Sequence, residues 1–260
     1  MTEKSKALST TAFATLLLIA FMMGANHVSA RFAFNHGVDV VTAVSFRSVV
    51  TAVVVGLILW QQKVSLRITA QHKKYLPIIG LLIAVQSVCL YSAVARLPVA
   101  LALLAFNTYP LSTTFWARVL YKHKPEKAVL WSMPLILVGL ALALDVMGAA
   151  SGLGASEHWA QIGSGVAFAL AASATFGLAL VYTQHETAGL DGRLRTFSTM
   201  TLVGILAIAA AISQGGFHMP QAAAGWWGLG MLSFLYGTAF TIMFTVLPRL
   251  GVVGNSAIMN

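Results

Sequence analysis

The chain has 260 residues, of which 58% are hydrophobic and only 9% charged, with a mean hydropathy of +0.82 and a formal net charge of +9. A water-soluble fold of this length cannot hide so much apolar surface, whereas a polytopic membrane protein requires it. The positive charge would suit nucleic acid, but the basic residues stand at the ends of apolar runs rather than along one face, so no nucleic-acid partner is expected.

A helix needs about 20 mostly apolar residues to cross a bilayer. Runs of that size, bounded by charges, Pro and Gly, predict helices at 11–34, 40–60, 75–95, 98–120, 128–148, 162–184, 196–213 and 226–248, with a ninth begun near 252. The first follows Lys4 and Lys6, and "VSA" at 28–30 resembles a signal-peptidase site. Its apolar run is longer than a signal peptide uses and pairs with a later helix, so it reads as an uncleaved span.

Polar residues inside spans are costly and are candidates for function, with a satisfied structural hydrogen bond as the competing reading. In the first helix Asn26 and His27 lie in the outer half, His27 being either a proton relay or a packed, hydrogen-bonded imidazole. In the second, Arg47 sits about 10 Å from the outer end at 1.5 Å per residue. A guanidinium there faces a watery cavity or a partner. It either anchors a solute carboxylate or similar anion, or is structural, bonded to helix carbonyls or snorkelling outward.

The third helix carries Gln86 near the midplane and the single Cys89, which excludes a disulfide framework and a cysteine-based metal site. The fourth contains "NTYP", where Pro110 predicts a kink near Phe106 and leaves Asn107 and Tyr109 beside a freed carbonyl. That arrangement suits a polar ligand; the competing reading is that Asn107 ties helices together. The polar stretch at 145–159 then separates two blocks. In the sixth helix Ser173 and Gly177, four apart, favour close helix packing. Tyr236, in the eighth, is again near the midplane. Trp116, Tyr121, Trp131, Trp226 and Trp227 cluster at span ends as an interfacial belt. No acidic residue falls inside a span, no nucleophile is paired with a base, and the histidines lack metal-ligand spacing. An enzyme, a cofactor and a metal are therefore not expected.

Placing the N-terminus in the cytoplasm puts Lys4, Lys6, Lys63, Arg67, Lys73, Lys74, Arg118, Lys122, Lys124, Lys127, Arg193, Arg195 and Arg249 on the cytoplasmic side, 13 of the 16 Lys and Arg. The positive-inside rule selects that orientation. An offset of 153 residues superposes Arg96 on Arg249, Leu97 on Leu250, Val99 on Val252 and Asn107 on Asn260, as well as Gly24 on Gly177, Val28 on Val181 and Ser45 on Ser198. It lays helices one to four on helices six to nine. A unit of five helices is odd in number, so its second copy enters the membrane inverted, the plan of many secondary transporters. The fold class expected is therefore an all-α polytopic membrane protein of two inverted five-helix repeats, 1–148 and 162–260. Of ten helices expected, about eight and a half are present, and the chain is expected to continue beyond Asn260 for roughly 40 residues.

Two five-helix halves of this size, the "SFRSVV" segment around Arg47 and the "RLG…NSAIMN" entry to the ninth helix resemble the drug/metabolite transporter superfamily, specifically its EamA-like branch. The resemblance covers the whole chain. It implies ten helices, cytoplasmic termini and a central pathway between the halves for small metabolites, amino acids or drugs. It further implies a bacterial inner (plasma) membrane location among lipid, export as the direction and a proton or second solute as the coupling species. Relatives often continue after the Asn of helix nine with a Leu-Glu-Pro run; the first-half counterparts here are Thr108, Tyr109 and Pro110, and the chain stops before any such Glu. The expected solute site comprises Asn26, His27, Arg47, Gln86, Asn107, Tyr109 and Tyr236. The alternative function is a non-transporting membrane scaffold or sensor.

Overall fold

The computed structural model describes residues 10–123, 127–145, 147, 148, 150, 152 and 154–245. Among them the helices are α1 (Thr10–Phe34), α2 (Val40–Gln61), α3 (Ala70–Arg96), α4 (Val99–Phe106), α5 (Tyr109–Tyr121), α6 (Lys127–Ala143), α7 (Ala155–Glu186), α8 (Gly192–Ser213) and α9 (Ala223–Thr245). The expected start of a further helix near 252, together with Arg249, Leu250, Val252 and Asn260, lies outside the described residues, as do Lys4, Lys6 and Lys124. Five helices, α1, α2, α3, α7 and α8, are long and apolar enough to cross a membrane. The chain is an all-helical polytopic membrane protein, with large apolar side chains such as Phe21 and Leu142 turned outward.

Local chemistry explains where the boundaries moved from those expected. α3 begins at residue 70 because Thr69 accepts from the His72 amide at 3.2 Å while the His72 ring receives the Thr69 amide, a capping box that carries the helix through Lys73 and Lys74. α7 begins at 155, earlier than expected, so the second part of the 145–159 stretch is helix. Glu157 stands in its first turn, where an acid complements the helix dipole. α2 and α8 both start on an aspartate cap: Asp39 accepts from the Thr42 amide and Asp191 from the Arg193 amide, each at 2.8 Å.

The span expected as one kinked helix at 98–120 is two helices, α4 and α5, interrupted at Asn107 and Thr108. Pro110 cannot donate to a preceding turn, and the Thr108 hydroxyl bonds back to the Ala105 carbonyl at 2.8 Å, competing with the backbone ladder.

The helices interleave rather than follow one another. α3 packs along α7, α1 along α9, α2 along α8 and α9, α3 also along α8, and α4 and α5 along α7. Small residues bring the backbones close at these crossings. A Cβ on Gly228 would lie 2.8 Å from the Ala33 amide of α1, and one on Gly177 would lie 2.7 Å from the Thr113 amide of α5. One apolar cluster, including Val44, Tyr91, Val203 and Leu232, joins α1, α2, α3, α8 and α9; another, including Val94, Leu97, Leu140 and Val166, joins α3, α4, α6 and α7.

Candidate functional site

The buried face of α2 carries Val44, Arg47, Ser48, Thr51 and Val55, spaced three or four apart as one stripe of the helix. That spacing turns Arg47 into the bundle, where it is 3% exposed. α3 meets it with Ser87 and Tyr91, four residues apart and so on one face. The Arg47 Nη2 donates to Ser87 Oγ at 2.8 Å and Nη1 to the Tyr91 hydroxyl at 3.4 Å. Its guanidinium carbon lies over two aromatic rings, 4.9 Å from the centroid of Tyr91 and 4.4 Å from that of Tyr236 on α9. The cation is thus sandwiched between one ring from each half of the chain.

The network continues into α1. Tyr91 donates its hydroxyl to Asn26 Oδ1 at 2.9 Å, and the Asn26 amide is tied to the Met23 carbonyl at 3.2 Å. His27 meets Tyr91 edge to face with centroids 5.7 Å apart. Ser87 in turn reaches Gln86 Oε1 at 3.4 Å. The structure therefore brings Asn26, His27, Arg47, Gln86 and Tyr236 together. It adds Ser87 and Tyr91, which were not singled out in the sequence, although a Ser and a Tyr four apart beside Gln86 were a readable signal.

Among the described residues no carboxylate joins this group: Asp39, Asp145, Glu157, Glu186 and Asp191 all stand at helix ends or in loops. A fully buried cation is costly without a counter-ion, and the two rings and two hydrogen bonds supply only part of what water would. The Arg47 Nε and the His27 Nδ1 are buried with no hydrogen-bond partner among the described residues.

Asn107 and Tyr109 stand apart from this cluster. Asn107 is exposed at the α4–α5 break, and Tyr109 packs against Phe106 and Phe176 with centroids 5.6 and 5.1 Å away. The buried polar contact at the break is made by Thr108, whose hydroxyl lies 2.9 Å from Ser173 Oγ, itself 3.2 Å from Ser112 Oγ. Ser173 and Gly177 thus serve the close α5–α7 contact. Trp116 turns inward from the expected belt and donates to the Ala174 carbonyl at 3.1 Å.

Polar ties close both ends of the bundle. At one, His218 meets Asp39 at 3.1 Å, its amide donates to Thr42 Oγ1 at 3.1 Å, and the Gln221 amide donates to the His36 carbonyl at 3.2 Å. At the other, Arg193 pairs with Asp191 and reaches Gln62, while Glu186 accepts from Tyr121 and, at 2.8 Å, from Gln71. The hydrogen bonds from Arg193 hold the Asp191 carboxyl below the usual carboxylate range.

The model of the EamA-like transporter family matches residues 10–144. The chain belongs to this family. A comparison with curated proteins finds no match. The EamA-like match runs from α1 through α6 and so includes Asn26, His27, Arg47, Ser87 and Tyr91, while Tyr236 lies beyond it. Membership makes the chain an integral membrane protein of the transporter class, with a small-molecule solute and surrounding lipid as its partners.

Proposed function

We propose that this EamA-like chain is a secondary-active transporter that exports small metabolites, amino acids or drugs bearing a carboxylate or similar anionic group, by alternating exposure of the Arg47 site. The observation that carries the proposal is Arg47 itself, a buried guanidinium framed by Tyr91 and Tyr236 with no acid beside it among the described residues. An anionic solute supplies the missing counter-charge and meets a donor set that is already oriented. Asn26, Gln86 and Ser87 complete the polar lining. The coupling species in this reading is a proton or a second solute.

Alternating access needs two halves that move against each other. The packing pattern supports reading 1–148 and 162–260 as inverted copies. Exchanging α1, α2 and α3 for α7, α8 and α9 turns the α3–α7 pairing into α9–α1 and the α2–α9 pairing into α8–α3, and leaves α2–α8 in place. Tyr91 and Tyr236 then face Arg47 from opposite halves, so relative motion of the halves opens and closes the site. The loops that carry Lys63, Arg67 and Lys122 lie at the same end of the bundle as Arg193. That supports a cytoplasmic assignment for this end, with the N-terminus cytoplasmic; a bacterial inner membrane is the location we propose from the family resemblance alone.

The test is solute flux into proteoliposomes, screened over anionic, zwitterionic and cationic solutes, with wild type beside Arg47→Leu. Flux of an anionic or zwitterionic solute that falls in the variant, at equal insertion, supports the assignment. Unchanged flux in the variant removes Arg47 from the site.

A further inference from the structure

We propose that His123 and His185 form an exchangeable binding site for a zinc-type divalent transition metal at the end of the bundle where α5 meets α7. Lys122 ends α5 in the left-handed conformation, with φ 57° and its amide directed to the last carbonyls, and so turns the chain back toward α7. His123 then stands beside His185, which lies in the last turn of α7. The two residues are 62 apart in sequence, yet their Nε2 atoms are 3.3 Å apart.

That distance suits a shared metal. Two Zn–N bonds of about 2.0–2.1 Å meeting at a tetrahedral angle hold their nitrogens roughly 3.3 Å apart, so neither ring need move. The tautomer is also prepared. The His185 Nδ1 lies 2.9 Å from the Val181 carbonyl oxygen, and a carbonyl only accepts, so Nδ1 carries the proton and Nε2 of the neutral ring presents its lone pair to His123. Support of this kind behind a ligating imidazole is a regular property of metal sites.

The His185 ring is further fixed by stacking on Tyr121, with centroids 3.9 Å apart and planes 12° apart. The Tyr121 hydroxyl is itself held by Glu186. His123 is exposed and His185 half-buried, so an ion reaches the pair from the His123 side, and Glu186 adds negative charge next to it. Among the described residues no group of three His, Cys, Asp or Glu forms, so water completes the coordination and the ion exchanges rather than building the fold. The competing arrangement is a direct hydrogen bond in which His123 donates to His185.

The metal would join α5, in the first half, to α7, in the second. On the proposed alternating mechanism it therefore holds this end closed and slows flux. The binding test does not depend on that mechanism. Tag-free full-length protein in detergent is titrated with Zn²⁺ by calorimetry, with the Zn²⁺-induced rise in Tm as a second readout. Wild type is expected to bind one Zn²⁺ and gain Tm. His123→Ala and His185→Ala are each expected to bind more weakly by about tenfold or more, the scale on which even a supporting residue of a metal site acts. His218→Ala, at the opposite end, is expected to bind as wild type does. His123 lies outside any helix, so its replacement leaves the packing in place and that variant alone is decisive. Wild-type affinity in His123→Ala, or an equal loss in His218→Ala, overturns the site in favour of the hydrogen bond. Zn²⁺ binding that follows the two histidines without slowing flux overturns only the closure.

Discussion

Replacing Arg47 by Met keeps most of its volume and removes the charge and the forked donors. In the structure the guanidinium spends Nη1 and Nη2 on Tyr91 and Ser87 and retains Nε without a partner among the described residues. A solute carboxylate gains at least one charge-assisted hydrogen bond there, worth about 1.5–3 kcal/mol. Its loss weakens binding by roughly tenfold to hundredfold, since 1.4 kcal/mol is a factor of ten. The readout is thermal unfolding in detergent with solute. At a concentration of 100 Kd a solute stabilises wild type by about 2.7 kcal/mol, and after a hundredfold loss of affinity the same concentration contributes only about 0.4 kcal/mol. After a tenfold loss it contributes about 1.4 kcal/mol, so the variant should unfold cooperatively yet lose about half or more of the solute-induced stabilisation, while Arg47→Lys, which keeps the charge but not the fork, recovers part of it. If Arg47→Met keeps the full solute-induced shift, the guanidinium is structural and the anion-site reasoning fails.

Three further outcomes follow from the packing. Tyr91→Phe removes the hydroxyl shared by Arg47 and Asn26 and should cost about 0.6–1.7 kcal/mol in denaturant unfolding from mixed micelles, the range for polar contacts between membrane helices; no change would show that the contact adds nothing. Gly177→Ala places a Cβ 2.7 Å from the Thr113 amide and 2.8 Å from Ser112 Cβ, so overpacking of the α5–α7 contact should cost about 1–3 kcal/mol, read as a lower Tm. For Asp191 the carboxyl is lowered by Arg193, so its contribution is present above the unfolded value of about 3.9 and is lost as pH falls through the folded value. Asp191→Asn keeps the helix cap and should lower Tm at neutral pH, with the gap to wild type closing below about pH 4; a gap independent of pH would contradict the linkage.

Arg47 was legible because a permanent charge inside an apolar run has few places to go, and burial against partners is the physical consequence. Its partners were less so. Ser87 and Tyr91 are ordinary residues whose role exists only once α3 packs beside α2, and tertiary packing of this kind leaves a single helix pattern unchanged. Depth along a helix can be counted from sequence, but the direction a side chain faces cannot be fixed where the helix breaks. Asn107 was rightly placed near a distorted backbone, yet the two-residue interruption before Pro110 turns it outward and buries Thr108 instead. Capping explains the boundary shifts: Thr69 and Asp191 start α3 and α8 ahead of their apolar runs, carrying polar first turns that hydropathy alone assigns to loops. His123 and His185, from different helices, have no local spacing to betray them.

The central claim, that the Arg47 site opens to both sides of the membrane in turn, is tested most directly by thiol accessibility at its edge. Gln86→Cys in a Cys89→Ser background places the sole thiol beside Ser87, and a membrane-impermeant maleimide is applied to either face of sealed vesicles. The account predicts modification from both faces, with an anionic solute that is transported slowing the reaction from each. Modification from neither face, or from one face only regardless of solute, would contradict it.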